Sequence, residues 1–273
     1  MSAPLAFTVL MAVYDGDDAD FFAQAVASAY ANDRRPDDFV LVVDGPVRDV
    51  LRAQIGACAQ TYGLRVIWSP QNQGLAKALN AGLAEVRTEW VARADADDIN
   101  LPERFAKQMA YIEARGGAVD LVGGAIEEID ETDHVVATRV MPTEPAEILR
   151  FARRRNPFNH MTMVYRTALV REAGGYPALH LREDYGLWAK LLMQGCRVGN
   201  LSDIVVRARA GGAMLRRRGG WKYAVTEYQL QLYLFRLGFK SLGEAGFHLL
   251  LRSAVFMAPN FIRKIVYSRF LRS

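Results

Sequence analysis

The chain has 273 residues, 51% of them apolar, a net charge of +4 and only two cysteines, Cys58 and Cys196. That length supplies one large domain, or one domain with an appendage. The two distant cysteines exclude a disulfide framework and a zinc cluster, and no run of about 18 apolar residues is present to cross a bilayer.

The N-terminus lacks the basic start of a secretory signal and runs straight into a strand-like segment. Residues 7–13 form a continuous apolar run. Residues 18–31 follow with Phe21, Phe22, Val26 and Tyr30 at helical spacing. A second apolar run, 39–43, ends in the turn chemistry of Asp44-Gly45-Pro46. A helix over 47–62 leads to a strand over 64–68, the loop 69–74, a helix over 75–86 and another apolar strand. Fully apolar strands alternating with helices predict an α/β fold whose mostly parallel sheet is covered on both faces. Beyond Pro102 the pattern changes. A helix over 103–115 precedes alternating segments at 121–129 and 135–141 that look antiparallel, then a short strand at 161–166. A helix over 183–194 and a strand over 198–208 follow. The sheet domain is expected to span 1–210, with halves of about 1–100 and 101–210. Residues 211–273 are expected to form a basic helical C-terminal region, its helices broken at Pro259.

The apolar strand at Trp90 ends in Asp95-Ala96-Asp97-Asp98, three carboxylates within four positions. Like charges held together resist ionising together. A strand end that keeps them therefore suits a cation, and hard divalent ions take carboxylates together with substrate phosphates. Ligands of such sheets bind at the carboxyl ends of strands, where Tyr14-Asp15, Asp44-Gly45 and Asp95-Ala96-Asp97 converge. The first turn, Tyr14-Asp15-Gly16-Asp17-Asp18, lacks the glycine fingerprint of dinucleotide sites, and no phosphate-cradling P-loop occurs. A diphosphate here needs a metal as counterweight.

Met11–Gly16, Leu41–Pro46, Asn72-Gln73-Gly74-Leu75 with Ala78-Leu79-Asn80, Ala92–Asp98, Gly174-Gly175-Tyr176 and Arg182–Trp188 occur in the order seen in family 2 glycosyltransferases. The chain resembles that family over about residues 6–240, and within it the bacterial capsule, exopolysaccharide and O-antigen transferases. The resemblance implies the GT-A fold and inverting transfer from a nucleotide-diphosphate sugar, a UDP- or dTDP-sugar, to a lipid-linked glycan. It implies Tyr14 and Asp44 on the nucleobase, Asp95 near the ribose, and Asp97, with Asp95, on Mg²⁺ or Mn²⁺. Asn72, Gly74, Arg93 and Ala96 join the nucleotide-sugar site, and Asp184 is the general base, with Glu183 assisting acceptor placement. Asp15 stands where many members have Asn, and Leu79 where many have Arg.

His160 precedes a strand that borders the crevice, and either contacts acceptor or phosphate or serves as a structural hydrogen-bonding residue. Trp188 either stacks on an acceptor sugar or packs in the core. Arg216 and Arg217 are either a solvated basic turn or a clamp on the leaving diphosphate. Other readings are a sugar-phosphate nucleotidyltransferase and a non-catalytic, membrane-attached carbohydrate-binding protein.

Charge is unevenly spread. Residues 205–273 carry +11, leaving −7 on residues 1–204. A basic, aromatic-rich tail predicts an anionic membrane surface as partner, and no nucleic-acid module is present to favour nucleic acid. The expected place is cytoplasmic, peripheral on the inner face of the plasma membrane.

Overall fold

The structure, a computed structural model, describes residues 4–209 and 220–258. Strands β1 (Phe7–Val13), β2 (Asp38–Asp44), β3 (Arg65–Ser69) and β4 (Trp90–Arg93) alternate with helices α1 (Ala19–Tyr30), α2 (Asp49–Tyr62) and α3 (Leu75–Glu85). β2 pairs in parallel with β1 and β3, and β1 with β4. The apolar runs have two faces to bury. Leu10, Val40 and Val42 share a core with Ala78 and Leu83 of α3, whereas Val9, Met11, Phe39 and Leu41 share one with Phe22 of α1 and Ile55 of α2. Asp18 starts α1 by accepting the amides of Asp20 and Phe21.

The chain continues through β5 (Ile99–Asn100), α4 (Arg104–Glu113), β6 (Leu121–Ile129), β7 (Val135–Arg139), α5 (Pro145–Ala152) and a 3₁₀ turn at His160–Thr162. Then come β8 (Val164–Arg166), α6 (Thr167–Glu172), α7 (Glu183–Met193) and β9 (Val198–Arg209). The strand order is β3-β2-β1-β4-β8-β6-β9-β5, with β7 beside β6. Parallel pairing runs unbroken only from β3 to β4. Beyond it the sheet is mixed, because β8 lies antiparallel to both β4 and β6 while β9 runs parallel to β6. That reversal positions the site. The start of β8 meets the end of β4, and Arg93 N–H donates to the Met163 carbonyl at 2.8 Å. The turn carrying His160 is thus delivered to the aspartate cluster.

Helices α8 (Trp221–Arg236) and α9 (Leu242–Met257) form a hairpin. It closes through Gly220 N–H to the Phe256 carbonyl at 2.9 Å and a Tyr223–Phe256 ring contact. Leu230, Leu234 and Phe239 belong to the same core as Tyr185 and Trp188, so this part of the expected appendage shares the sheet domain's core. α8 is turned unusually: Glu227 and Gln231 are buried with Leu230 and Leu234, while Trp221, Val225, Tyr228 and Phe235 are exposed.

Candidate active site

The strand ends bring three loops together. After β1, the Asp17 carboxylate accepts Tyr14 N–H at 2.9 Å, closing the turn and leaving the Tyr14 ring exposed. Asp15 accepts Arg48 N–H at 2.7 Å, which ties this turn to the loop after β2. Asp44, buried at the end of β2, accepts Gln73 N–H and Gly74 N–H, both at 2.8 Å. It fastens the loop that opens α3. Gly45 and Gly74 have φ of +92° and +88°, and a Cβ on Gly45 would stand 2.6 Å from the Asn72 nitrogen. Tyr14, Asp44, Asn72 and Gly74 therefore line one rim, with Asp44 serving as its fastener. Leu79 is buried in the core behind it.

At the end of β4, Asp95 is bonded to Arg93, which is 2% exposed. Arg93 was expected among the donor-binding residues. The structure places it buried, with its guanidinium paired to Asp95 as a countercharge. Behind it, the buried Arg104 donates to the Arg93 carbonyl at 2.6 Å, and burial lowers Arg104 to about 9. On its other oxygen Asp95 meets His160 Nε2 at 2.7 Å. Burial favours protonation of Asp95, but Arg93 and His160 outweigh it and hold the carboxyl well below its usual range.

Asp97 and Asp17 differ. Burial and the neighbouring Asp95 charge push Asp97 up to about 6. Burial, with Asp97 and Asp95 nearby, pushes Asp17 up to about 7 despite the Tyr14 amide. Asp98 is also raised well above normal by burial and its neighbours. It accepts Arg209 N–H at 2.9 Å, anchoring the end of β9 beside the cluster. Among the described residues, no ion pair reaches the Asp97 side chain. An acidic group with oxygen donors and surplus negative charge fits a hard divalent ion, completed by phosphate oxygens rather than by a closed protein cage. Indeed no set of three or more His, Cys, Asp or Glu side chains forms such a cage among the described residues.

His160 joins this cluster to the second half. Burial opposes its imidazolium, but Asp95 and then Asp184 outweigh that and raise it to about 9. Its Nδ1 lies 3.7 Å from an Asp184 oxygen. The turn is held rigidly: Asn159 Nδ2 donates to the Gly124 carbonyl at 2.9 Å, and Gln108 Nε2 to the Thr162 carbonyl at 2.7 Å. Asp184, in the first turn of α7, also accepts Asn156 Nδ2 at 2.6 Å. Glu183 beside it is buried and raised to about 7 by desolvation and the Asp184 charge.

Trp188 is 0% exposed. It packs against the rings of Phe158, Tyr165 and Tyr176, so of its two expected places it takes the core one and does not face an acceptor sugar. Arg216 and Arg217 lie outside the described residues. Asn156 and Asp17 are additions that the sequence reading missed. The Asn156–His160 run, polar at both ends just before a strand, was the available signal for the first, and the acid-rich turn after β1 for the second. The Gly174-Gly175-Tyr176 motif proves to be a bracket: Tyr176 N–H donates to Asn80 Oδ1 at 2.7 Å, and Asn80 Nδ2 to the Tyr176 carbonyl at 2.9 Å.

Residues 8–173 match Glycosyl transferase family 2. The chain is 39% identical to an uncharacterized glycosyltransferase of Haemophilus influenzae, over 98% of this chain and 100% of that protein. It is 37% identical to the amylovoran biosynthesis glycosyltransferase AmsE of Erwinia amylovora, over 96% and 98%. It is 31% identical to the UDP-Gal:alpha-D-GlcNAc-diphosphoundecaprenol beta-1,3-galactosyltransferase of Escherichia coli, over 97% and 96%. Its fold is that of S. aureus TarS (TM-score 0.67, 19% identity), covering 98% of this chain and 46% of TarS. The TarS 1–349 complex with UDP-GlcNAc superposes with a TM-score of 0.66, at 19% identity over 98% of this chain and 76% of that one. The mannosyltransferase PcManGT of Pyrobaculum calidifontis, in complex with GDP-Man and Mn²⁺, does so with 0.61, at 17% identity over 97% and 81%. These structures share the GT-A fold.

Proposed function

Because the chain belongs to glycosyl transferase family 2, we propose that it moves a sugar from a nucleotide-diphosphate sugar to a glycan hydroxyl with inversion. The observation that carries this reading is His160, bonded to Asp95 on the donor side and 3.7 Å from Asp184 on the other. One crevice thus holds an acidic cluster suited to a metal-bound diphosphate and, across the imidazole, a carboxylate suited to an acceptor. Tyr14 and the rim fastened by Asp44 receive the nucleobase, and Asp95 faces the ribose.

Asp97 is the metal ligand in this reading, with Asp95 held by its own partners close by. Mg²⁺ or Mn²⁺ bound there supplies positive charge to the diphosphate. Asp184 takes the proton of the acceptor hydroxyl, whose oxygen attacks the anomeric carbon as the bond to the diphosphate breaks. Asn156 and His160 hold Asp184 in place, and Glu183, raised to about 7 by burial and the Asp184 charge, keeps a share of its proton near neutral pH for an acceptor oxygen. Arg216 and Arg217, outside the described residues, close on the leaving diphosphate in this reading. The relatives named for amylovoran biosynthesis and for galactosyl transfer to a diphosphoundecaprenol acceptor support a lipid-linked acceptor in surface polysaccharide assembly. That acceptor would place the protein on the inner face of the plasma membrane.

The test is calorimetric titration of UDP, dTDP and GDP sugars with Mn²⁺, Mg²⁺ or chelator. The reading expects one donor to bind at least ten-fold tighter with metal. Equal affinity in chelator removes the metal from it.

A further inference from the structure

The C-terminal hairpin buries Leu230, Leu234 and Phe256 but presents a second set of apolar side chains outward. A helix on a globular protein ordinarily buries its apolar stripe. In α8 the buried side holds the charged Glu227 and the polar Gln231. Arg182 reaches Glu227 at 3.3 Å, Arg252 at 3.6 Å, and Gln231 Nε2 donates to it at 2.7 Å. The outward side carries Trp221 at 73% exposure, with Tyr228 and Phe235 following at intervals of seven. α9 repeats the arrangement. Phe247 (62%), Leu250 (75%) and Met257 (59%) lie along its exposed side, while Ala245 and Phe256 face inward. Gly220 N–H bonds the Phe256 carbonyl, so the hairpin runs antiparallel and Trp221 and Met257 lie at the same end. Exposed apolar side chains gathered along both helices mark an interaction site.

The sequence around the hairpin identifies what covers it. Residues 210–219, leading into α8, carry Arg216, Arg217 and Arg218, and residues 259–273, following α9, carry Arg263, Lys264, Arg269 and Arg272. Neither stretch contains an Asp or Glu. Aromatic and aliphatic side chains flanked in sequence on both sides by cation-bearing, acid-free stretches suit the headgroup region of an anionic bilayer, where rings insert and cations meet phosphates. No described helix is long and apolar enough to cross a membrane, so the contact is one that lies on the surface. Glu227, on the buried side of α8, joins this hairpin to Arg182, two residues before Asp184, so the hairpin and the segment of the proposed base share one ionic joint.

We propose that the outward faces of α8 and α9 dock the protein on an anionic phospholipid surface. The inference deepens the membrane partner of the proposed function by assigning the surface that makes the contact. It does not require the donor or acceptor to be known. The experiment mixes the full chain with vesicles of phosphatidylcholine containing phosphatidylglycerol, and with phosphatidylcholine alone. It follows sedimentation and the emission of Trp221, using Trp221→Phe as the blank. The expected result is a blue shift that disappears in the blank, binding that weakens with added salt, and at least a ten-fold loss of binding in Phe247→Asp/Leu250→Asp. Removal of residues 259–273 is expected to weaken binding without abolishing it. Three results overturn the proposal. One is wild-type vesicle binding by the double variant. A second is complete loss of binding on truncation alone. The third is a dimer in lipid-free solution that the double variant converts to monomer, which would give the face to a second copy. Circular dichroism verifies that the variants are folded, and nucleotide calorimetry separately tests the donor site. Failure on vesicles with intact nucleotide binding counts against this proposal alone.

Discussion

His160 stands between two carboxylates whose tasks differ, and the charge around each is arranged accordingly. Asp95 has Arg93 and His160 as partners, so it remains ionised without help from a ligand. Asp97 has burial and a like charge working against it. Its folded pKa, about 6, lies above its ordinary 3.8, so the folded state binds that proton more tightly than the unfolded chain does. The carboxylate therefore costs stability in full above pH 6, and the cost fades as pH falls towards 4. In chelator, Asp97→Asn should raise the melting temperature at pH 7.5, by about 2–6 °C on the usual scale for a chain this size, and change it little at pH 4. No gain at pH 7.5 would mean that the cluster is not charge-strained. Asn156 supplies Asp184 with a 2.6 Å hydrogen bond. Asn156→Ala should lower kcat about ten-fold or more with donor affinity unchanged, because only the orientation of the base is lost. A rise in donor Kd of similar size would place Asn156 in the donor site instead.

The first hundred residues were legible as elements because their strands are buried on both faces and read as unbroken apolar runs, while Asp and Gly mark each end. β5, α5, α6 and the turn at His160–Thr162 escaped the sequence reading because they are short. Two to eight residues do not complete a recognisable period. What holds the turn is distant in sequence: Gly124 and Gln108 bond Asn159 and Thr162. The antiparallel pair β6 and β7 was legible from its alternation, whereas the pairing of β8 with β4 and β6 and of β9 with β6 was not, since register between far strands depends on contacts no local pattern records. α8 shows the opposite case, where periodicity reveals a helix and not which face turns inward. Glu227, 0% exposed, settles its orientation through Arg182 and Arg252. Glu227→Ala leaves both arginines without that counterion, and breaking such a buried pair costs about 3–5 kcal/mol. Thermal or denaturant melting should show that loss, and amide exchange over residues 181–185 should speed up while β1 to β4 stay protected. A loss below about 1 kcal/mol would show the joint to be solvated.

For the whole molecule, the ordered motifs were enough to read the family and the GT-A fold, which the comparisons bear out. The site was read only in part. Motif order says which residues surround a crevice, but not which face it. Trp188 and Arg93 occupy motif positions and lie buried, where packing and charge balance use them. Asn156, outside the motifs, reaches the proposed base. The account's central claim is a division of labour across His160, with the donor and its metal on the Asp97 side and proton removal on the Asp184 side. The most direct measurement is donor affinity with Mn²⁺ alongside single-turnover transfer, in wild type, Asp97→Ala and Asp184→Asn. Asp184→Asn should bind donor like the wild type and lose at least about a hundred-fold in transfer, the range of general-base effects. Asp97→Ala should lose donor affinity at least ten-fold. Equal loss of donor affinity in both variants, or undiminished transfer by Asp184→Asn, would contradict the claim.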